Sequence, residues 1–299
     1  MKHSKIAIIG AGRVGTTTAY ALMLKNIAAE ILLVDVDPIR CKGEFLDLSD
    51  VLPFSSTSIV RDATLQEAAQ ADIIIITGGK AQSPGQTRLD LLKINLKVMD
   101  AIVDGLASLN KNAIIIVISN PLDILTQHIQ NKNILPRNQI FGSGTFLDST
   151  RLQGALGLKL NVAPKSIHAY ILGEHGDTQF PAWSSAYCDG KSISECLSRN
   201  ELEQVAQQTK QKAYDIISCK GSTFYGIASC ATALCESIIF NQKQVIPVSC
   251  YQEDLGVCLS VPCVIGEKGI VELFPLSLNA QEKNQLQQSA QNLKALMQP

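Results

Sequence analysis

Residues 5–15, Lys-Ile-Ala-Ile-Ile-Gly-Ala-Gly-Arg-Val-Gly, form an apolar run that ends in a glycine-rich turn, and helical patterning follows over residues 13–27. Gly10, Gly12 and Gly15 fit the pattern GxGxxG at this junction. The first glycine permits the tight turn, the second lets a pyrophosphate approach the backbone, and the third allows close helix–sheet packing. Because the helix N-terminus also offers free N–H groups to phosphates, this segment predicts a dinucleotide-binding site.

The choice between the two common dinucleotides depends on Asp35. This residue lies 20 residues after Gly15, at the end of a second predicted strand, Glu30–Val34. Its carboxylate can there accept hydrogen bonds from the adenosine ribose hydroxyls, and it would repel a 2′-phosphate. NAD is therefore favoured over NADP, with the nearby Arg40 as the feature that points the other way.

The first half of the chain alternates short apolar runs with helical patterning. Strands are predicted at 5–9, 30–34, 58–60, 73–76 and 113–118, and helices at 13–27, 38–50, 64–70, 87–108 and after Pro121. Strands that are apolar throughout and separated by helices indicate a parallel sheet covered on both faces. The predicted fold class is therefore α/β, with a Rossmann-type doubly wound parallel sheet forming an NAD-binding domain of residues 1–143.

The pattern changes near residue 143. It predicts helices at 145–158, 200–218, 223–240 and 280–297, a strand at 167–172 and a strand-rich stretch at 245–274. These elements indicate an α+β substrate-binding and catalytic domain of residues 144–299. Because no long linker separates the two halves, we expect them to share a tight interface.

Composition excludes several classes of partner. The 299 residues carry a net charge of −1, and the basic residues are scattered, so nothing predicts binding to nucleic acid or to an anionic membrane. The apolar run behind Met1–Lys5 is too short for a signal sequence or a membrane span, which indicates a cytoplasmic protein. The nine cysteines form no CxxC pair, so we expect reduced, mostly buried thiols and no metal site.

Two polar segments in the second half are candidates for catalysis. His175 lies in the turn Gly-Glu-His-Gly-Asp-Thr, residues 173–178, where flanking glycines let it face a cleft. The other histidines lie in the terminus, on a helix and inside a strand, where a structural role is the better interpretation. Asp148 and Arg151 are three residues apart on one face of a predicted helix, and on their own they indicate an ion pair on a solvated surface.

Taken together, these motifs occur in a recognisable order. In addition to the glycine fingerprint, the sequence contains four further segments, Pro84–Leu89, Ser119–Asp123, Leu147–Arg151 and Gly173–Thr178. With these five motifs the sequence resembles the lactate/malate dehydrogenase family, and the resemblance extends from about Lys5 to the C-terminal helix.

The resemblance implies a role for each polar residue of the site. His175 would be the general acid/base, and Asp148 would hold its other ring nitrogen and favour the imidazolium. Arg151 would bind the substrate carboxylate through two parallel hydrogen bonds. Arg88 would polarise the C2 carbonyl and stabilise developing negative charge on its oxygen, and Asn120 would hydrogen-bond near the nicotinamide and the substrate.

The resemblance also implies NAD as cofactor, a lid at residues 79–92 and a set of backbone and side-chain contacts to the dinucleotide. The expected cofactor-binding residues are Gly10, Gly12, Val14, Gly15, Asp35, Arg40, Gly79, Ser119, Asn120 and Ser143.

Within this family the substrates differ at the far end of the molecule, and the discriminating position is Gln82. A neutral amide gives a second carboxylate no charge partner, so Gln82 favours pyruvate and (S)-lactate over oxaloacetate and malate. By position, neither Lys80 nor Arg88 is the specificity residue. Thr223 matches the threonine that borders the substrate methyl group.

Two alternatives within the family remain open. One is a dehydrogenase for larger acids such as L-2-hydroxyisocaproate, and the other is a malate dehydrogenase, which would carry arginine at position 82. A non-catalytic NAD-binding redox sensor would have lost some of His175, Asp148, Arg151 and Arg88, whereas all four are present.

One departure from the family pattern concerns regulation. Many bacterial members bind fructose 1,6-bisphosphate between subunits through an arginine two residues after the substrate-binding one and a histidine seven before the catalytic one. His168 occupies the second position, but Gln153 occupies the first. We therefore expect little or no activation by the sugar bisphosphate in an enzyme that the resemblance implies to be a homotetramer.

Overall fold

The computed structural model describes residues 4–57, 59–80 and 88–297. Its first half consists of alternating strands and helices. In chain order these are β1 (Lys5–Ile9), α1 (Arg13–Leu24), β2 (Glu30–Val34), α2 (Pro38–Ser49), β3 (Ile59–Asp62), α3 (Leu65–Ala68), β4 (Ile73–Ile76), α4 (Arg88–Gly105), β5 (Ile114–Val117), α5 (Leu122–Asn131) and β6 (Ile140–Gly142).

These six strands are parallel and lie in the order β3-β2-β1-β4-β5-β6. The connections reverse direction between β1 and β4, so the loops after these two strands diverge and leave a crevice at their carboxyl ends. The predicted fold class, a doubly wound parallel sheet, is confirmed.

The apolar strands supply both faces of the sheet. Successive side chains of a strand point to opposite faces, and in β1 Ile6 and Ile8 join one buried cluster whereas Ala7 and Ile9 join the other. The isoleucines of β4 divide between the same two clusters. Because helices cover both faces, the buried positions along these strands favour apolar side chains on either face, which explains the apolar runs in the sequence.

The second half extends the same sheet. It contains α6 (Phe146–Leu160), β7 (Ile167–His168), β8 (Ile171–Leu172), β9 (Phe180–Pro181), β10 (Tyr187–Cys188), β11 (Lys191–Ser192), α7 (Ile193–Cys196), α8 (Arg199–Lys220), α9 (Tyr225–Ile239), β12 (Gln244–Gln252), β13 (Val257–Gly266), β14 (Gly269–Leu273) and α10 (Ala280–Met297). The antiparallel strands β12, β13 and β14 continue the parallel sheet, because β12 pairs with β6 at Ser249 and Gly142. A single sheet therefore runs through both halves of the chain.

The structure differs from the sequence prediction at residues 167–172. We predicted one strand there, but β7 and β8 belong to different small sheets, in which they pair with β10 and β9. The hydrogen bonds of Ile171 explain the break. Although Ile171 pairs with Pro181 of β9, its N–H donates to Ser149 Oγ at 2.8 Å and its carbonyl accepts from the Thr145 hydroxyl. Side chains of the α6 region therefore occupy the groups that a second β partner would need. The short strand β6 was also not predicted.

All nine cysteines lie in the described part of the chain and are free thiols, six of them buried. Among residues 4–57, 59–80 and 88–297, no helix combines the length and apolarity that crossing a membrane requires.

Candidate active site

A cleft of about 720 Å³ lies at the carboxyl ends of β1, β2 and β4. Five of the predicted cofactor-binding residues line it: Gly10, Gly12, Asp35, Arg40 and Gly79. Most of the remaining lining is aliphatic, including Val34, Leu65 and Ile102. An apolar cleft with a carboxylate at one end and bare backbone beside a helix N-terminus fits the adenosine and pyrophosphate of a dinucleotide.

The three fingerprint glycines meet different constraints. Gly10 has a φ of +111°, and a Cβ there would lie 2.5 Å from the backbone nitrogen of Gly78. A Cβ at Gly15 would collide with the carbonyl oxygen of Gly10. At Gly12, by contrast, nothing lies within 4 Å of a Cβ position. Gly10 and Gly15 are thus required by the fold, whereas the space beside Gly12 is open for a ligand.

Asp35 is held by three donors at the end of β2. The backbone N–H groups of Ala11 and Asp37 donate to it at 2.7 and 2.9 Å, and the Arg40 guanidinium donates at 2.7 Å. Burial of the Asp35 carboxyl opposes ionisation, but these hydrogen bonds outweigh it and lower its pKa. Arg40 is therefore paired with Asp35 rather than free to bind a 2′-phosphate.

A second cavity, of about 340 Å³, lies between the two halves of the chain. Seven predicted site residues line it: Val14, Asn120, Ser143, Asp148, Arg151, His175 and Thr223. The cavity thus brings together residues from the glycine turn, the end of β5, α6, the turn after β8 and the segment between α8 and α9. Its lining residues come from positions as far apart in the chain as Val14 and Thr223.

The central interaction of this cavity is made by Asp148. Its Oδ2 lies 2.8 Å from His175 Nδ1, and its Oδ1 accepts a hydrogen bond from Arg151 Nη1 at 3.1 Å. The Asp148 and Arg151 side chains are 5% and 7% exposed. The interpretation of this pair as a solvated surface ion pair, drawn from its spacing alone, is therefore wrong, because the helix face that carries it is covered by the His175 turn.

The charges of this cluster reinforce one another. Burial alone would lower the pKa of His175, but the carboxylates of Asp148 and, secondarily, Asp123 outweigh it and raise that pKa. Burial alone would raise the pKa of Asp148, but His175 and Arg151 outweigh it and lower that pKa. The imidazolium is therefore stabilised inside a largely buried site, as a proton donor near neutral pH requires.

The structure places Ser119 outside both cavities and does not describe two other predicted side chains, Gln82 and Arg88. Ser119 donates its hydroxyl to the Gly78 carbonyl at 2.6 Å and so ties the ends of β4 and β5 together. Gln82 lies outside the described residues, and although Arg88 begins α4, its side chain lies outside them as well. The predicted lid, residues 79–92, is described only in part.

Sequence reasoning missed two residues that shape the cavity. The buried amide of Asn95, in α4, accepts from the Lys80 N–H at 2.8 Å and donates to the Asn120 carbonyl at 2.7 Å. No spacing signal connects a mid-helix asparagine with these two loops. Asp123, the last residue of the Ser119–Asp123 motif, lies directly behind His175, whose N–H it accepts at 2.7 Å.

Comparison with protein families matches the whole chain in two parts. Residues 4–142 match the lactate/malate dehydrogenase NAD-binding domain, and residues 145–299 match the lactate/malate dehydrogenase α/β C-terminal domain.

Individual proteins are similar over nearly the same length. L-lactate dehydrogenase A of Rhizopus oryzae is 43% identical over 98% of this chain and 92% of its own. The L-lactate dehydrogenase of Lacticaseibacillus casei is 38% identical, covering 99% of this chain and 94% of its own. The crystal structure of the minor L-lactate dehydrogenase of Enterococcus mundtii in a ligand-bound form superposes with a TM-score of 0.95 at 38% identity, covering 99% of this chain and 98% of that one.

The glycine geometry predicts opposite effects for two alanine substitutions. Gly15→Ala places a methyl group against the Gly10 carbonyl and should lower the free energy of unfolding by roughly 1–3 kcal/mol. Gly12→Ala meets no protein atom, so it should leave the melting temperature nearly unchanged while weakening NADH binding. Thermal melts and fluorescence titration with NADH measure the two effects. Equal destabilisation by both substitutions would contradict the assignment of open space at Gly12.

The Asp148–His175 contact predicts the titration of the histidine. Asp148→Asn removes the adjacent negative charge, so the pKa of His175 should fall by roughly one to three units. NMR titration of the His175 ring resonances measures this midpoint. Asp100→Asn, which removes a carboxylate next to a different histidine, His128, is the matched control and should leave the His175 midpoint in place. An unmoved midpoint in Asp148→Asn would show that the contact does not control the imidazole.

Proposed function

The chain belongs to the lactate/malate dehydrogenase family, and from this membership we infer that it is an NAD-dependent enzyme that reversibly reduces pyruvate to (S)-lactate. The observation that carries the inference is the buried His175–Asp148–Arg151 cluster, which opens on a cavity that Val14, of the glycine turn, also lines. The similar proteins described above are named L-lactate dehydrogenases, which supports lactate as the hydroxy acid.

The dinucleotide cleft supports NAD as the cofactor. Gly12 leaves open space where the pyrophosphate would approach the start of α1, and the buried Asp35 carboxylate would receive the ribose hydroxyls. Val14, Asn120 and Ser143 would border the nicotinamide, since they line the second cavity. When bound, the cofactor supplies the hydride.

We propose that His175 moves the proton in both directions. As an imidazolium, it donates a proton to the C2 oxygen of pyruvate, and as a neutral imidazole it removes the hydroxyl proton of lactate. Asp148 accepts the hydrogen bond from Nδ1, so Nε2 remains the nitrogen that exchanges the proton with substrate. This carboxylate also stabilises the charge that the ring acquires.

Arg151 is proposed to bind the substrate carboxylate. One of its terminal nitrogens is engaged by Asp148, and the guanidinium also borders the cavity, where the rest of its donors can meet an anion. Thr223 borders the same cavity and would contact the methyl group. Two further residues complete the proposed site. Arg88 would polarise the C2 carbonyl, and Gln82 would reject a second carboxylate.

The direction of the His175 pKa shift sets the pH dependence of the two reactions. Pyruvate reduction needs the imidazolium, so its rate should be maximal at pH values below the raised pKa of His175 and should fall as the pH rises through that pKa. Lactate oxidation needs the neutral imidazole and rises over the same interval.

A substrate panel tests the proposed activity. We expect initial rates of NADH oxidation to be highest with pyruvate, lower with 2-ketoisocaproate and lowest with oxaloacetate, because Gln82 offers a dicarboxylate no charge partner. His175→Asn should lower kcat/KM for pyruvate by about 10²- to 10⁴-fold. Faster turnover of oxaloacetate would identify a malate dehydrogenase and overturn the proposal.

His128→Asn is the matched control for this panel. His128 also contacts a carboxylate, Asp100 Oδ1 at 2.8 Å, and it lies on α5 outside both cavities. The control should keep its rate with pyruvate. Full activity in His175→Asn would contradict the assignment of the acid/base residue.

We further propose that the protein is a homotetramer whose residues 1–143 form the NAD-binding domain and whose residues 144–299 form the catalytic and substrate-binding domain, with Gln82, Arg88 and Asn120 of the first domain reaching the substrate. Large exposed apolar side chains support association, notably Phe54 at 80% and Tyr225 at 67% exposure. The allosteric anion site of bacterial relatives is expected to be lost. The Gln153 amide donates to the Ala169 carbonyl at 3.2 Å, and a neutral amide cannot replace a bidentate guanidinium.

Activity assays and sedimentation velocity test this proposal together. The protein should sediment as a tetramer with or without fructose 1,6-bisphosphate, and the sugar bisphosphate should not lower KM for pyruvate. Gln153→Arg, which restores a cation near His168, should gain a response. A lowered KM in the unmodified enzyme would show that the site works without the arginine, and a monomer would exclude the assembly.

A further inference from the structure

Asp123 is a buried carboxylate behind the His175 turn. It lies in the first turn of α5, is 3% exposed, and makes two short hydrogen bonds. Its Oδ2 accepts the backbone N–H of His175 at 2.7 Å, and its Oδ1 accepts the hydroxyl of Ser249 in β12 at 2.6 Å. The mechanism proposed above uses neither Asp123 nor Ser249.

We propose that Asp123 is a positioning residue for proton transfer, which fixes the backbone of His175 while Asp148 fixes its ring, and whose charge favours the imidazolium. This proposal rests on the assignment of His175 as the acid/base residue. It adds a second carboxylate, on a different element from Asp148, that acts on the same histidine.

The hydrogen bonds alone do not explain a charged residue at this position. An asparagine amide has the same shape, and its oxygen would accept the His175 N–H while its nitrogen donated to Ser249 Oγ. Burying a carboxylate there is costlier than burying an amide. A charge that is costly to bury and not needed for the hydrogen bonds calls for a cation nearby, and His175, whose backbone N–H the carboxylate accepts at 2.7 Å, carries that cation when its ring is protonated.

The other charged groups around His175 fit this interpretation. Asp148 and Arg151 lie beside it from α6, Asp123 from α5, Glu174 lies in the same turn, and Lys210 of α8 lines the same cavity. The Asp123 charge acts in the same direction as that of Asp148, raising the pKa of His175, whereas Arg151 opposes both. Burial raises the pKa of Asp123 itself to about 6, so the carboxylate is mostly ionised at neutral pH.

The position of Asp123 in the chain also connects the two sides of the cavity. Asn120, three residues earlier, lines the cavity wall toward the nicotinamide side, whereas Asp123 holds the turn that carries the acid/base residue. The beginning of α5 thereby sets the distance between the two groups. Ser249, which orients Asp123, is itself fixed in the sheet by its pairing with Gly142.

NMR titration of the His175 ring in the full-length protein tests the proposal without any substrate. In Asp123→Asn the His175 midpoint should fall by about one pH unit, since one nearby negative charge is lost. The falling limb of the pH profile of kcat/KM for pyruvate should move down by the same amount, with little change in KM at low pH. Asp72→Asn is the matched control. Its carboxylate also accepts a backbone N–H, that of Lys5 at 3.0 Å, but lies outside the cavity, so the midpoint should not move.

A second variant tests the proposal even if Asp123→Asn does not fold. Ser249→Ala keeps the carboxylate but removes a donor that stabilises its charge, so it should shift the His175 midpoint in the same direction by less. An unmoved midpoint in a folded Asp123→Asn protein would overturn the proposal, as would an unmoved midpoint in Ser249→Ala if the first variant does not fold. Because the titration needs no turnover, a shifted midpoint in a protein inactive toward pyruvate would reject the proposed function and leave this inference standing.

Discussion

The site depends on one buried negative charge, the carboxylate of Asp148, placed between two groups that carry positive charge. Arg151 and the protonated His175 would otherwise be two desolvated cations beside each other, and an unpaired buried charge costs several kcal/mol. Each oxygen of Asp148 satisfies one of them, at 3.1 Å and 2.8 Å. The carboxylate therefore makes it possible to place a guanidinium and an imidazolium side by side in one cavity.

These three groups lie on two elements, α6 and the turn after β8. Asp148 and Arg151 share one face of α6, which starts directly after the last parallel strand and its short loop. The His175 turn is held against that face from behind by Asp123 and from the other side by α10. Ser289 of α10 accepts the N–H of Glu174 at 2.7 Å, and Asn292 donates to the Glu174 carboxylate at 2.8 Å. His175 thus lies on a loop that is held by hydrogen bonds to α5 and α10, which restrict its movement.

The sequence predicted best those features for which a residue type or pattern has one usual structural role. Continuous isoleucine runs have no stable location except a sheet covered on both faces, so the parallel sheet and most of its helices could be predicted. The glycines at 10 and 15 are required by contacts with backbone atoms, which makes a turn of this kind recognisable from spacing. His175 between two glycines and the order of the motifs indicated the site and its family.

The rest could not be predicted because it depends on contacts between distant segments. The ion pair at 148 and 151 is buried by a turn more than 20 residues later, and nothing in its own helix shows that cover. The strand at 167–172 is divided because side chains of the α6 region bond to Ile171. The partners of Asp123 and Asn95 lie 15 to 126 residues away, so only the folded chain shows what they hold.

The continuity of the sheet across Gly142 and Ser249 also restricts how the molecule can move. The pairing of β6 with β12 couples the two halves within one sheet, so rotating one half about a linker would break hydrogen bonds inside that sheet. Movements that leave the sheet intact would be confined to segments outside it. The sheet then sets the distance between the dinucleotide cleft and His175 in the unliganded protein, and binding energy is not needed to set it.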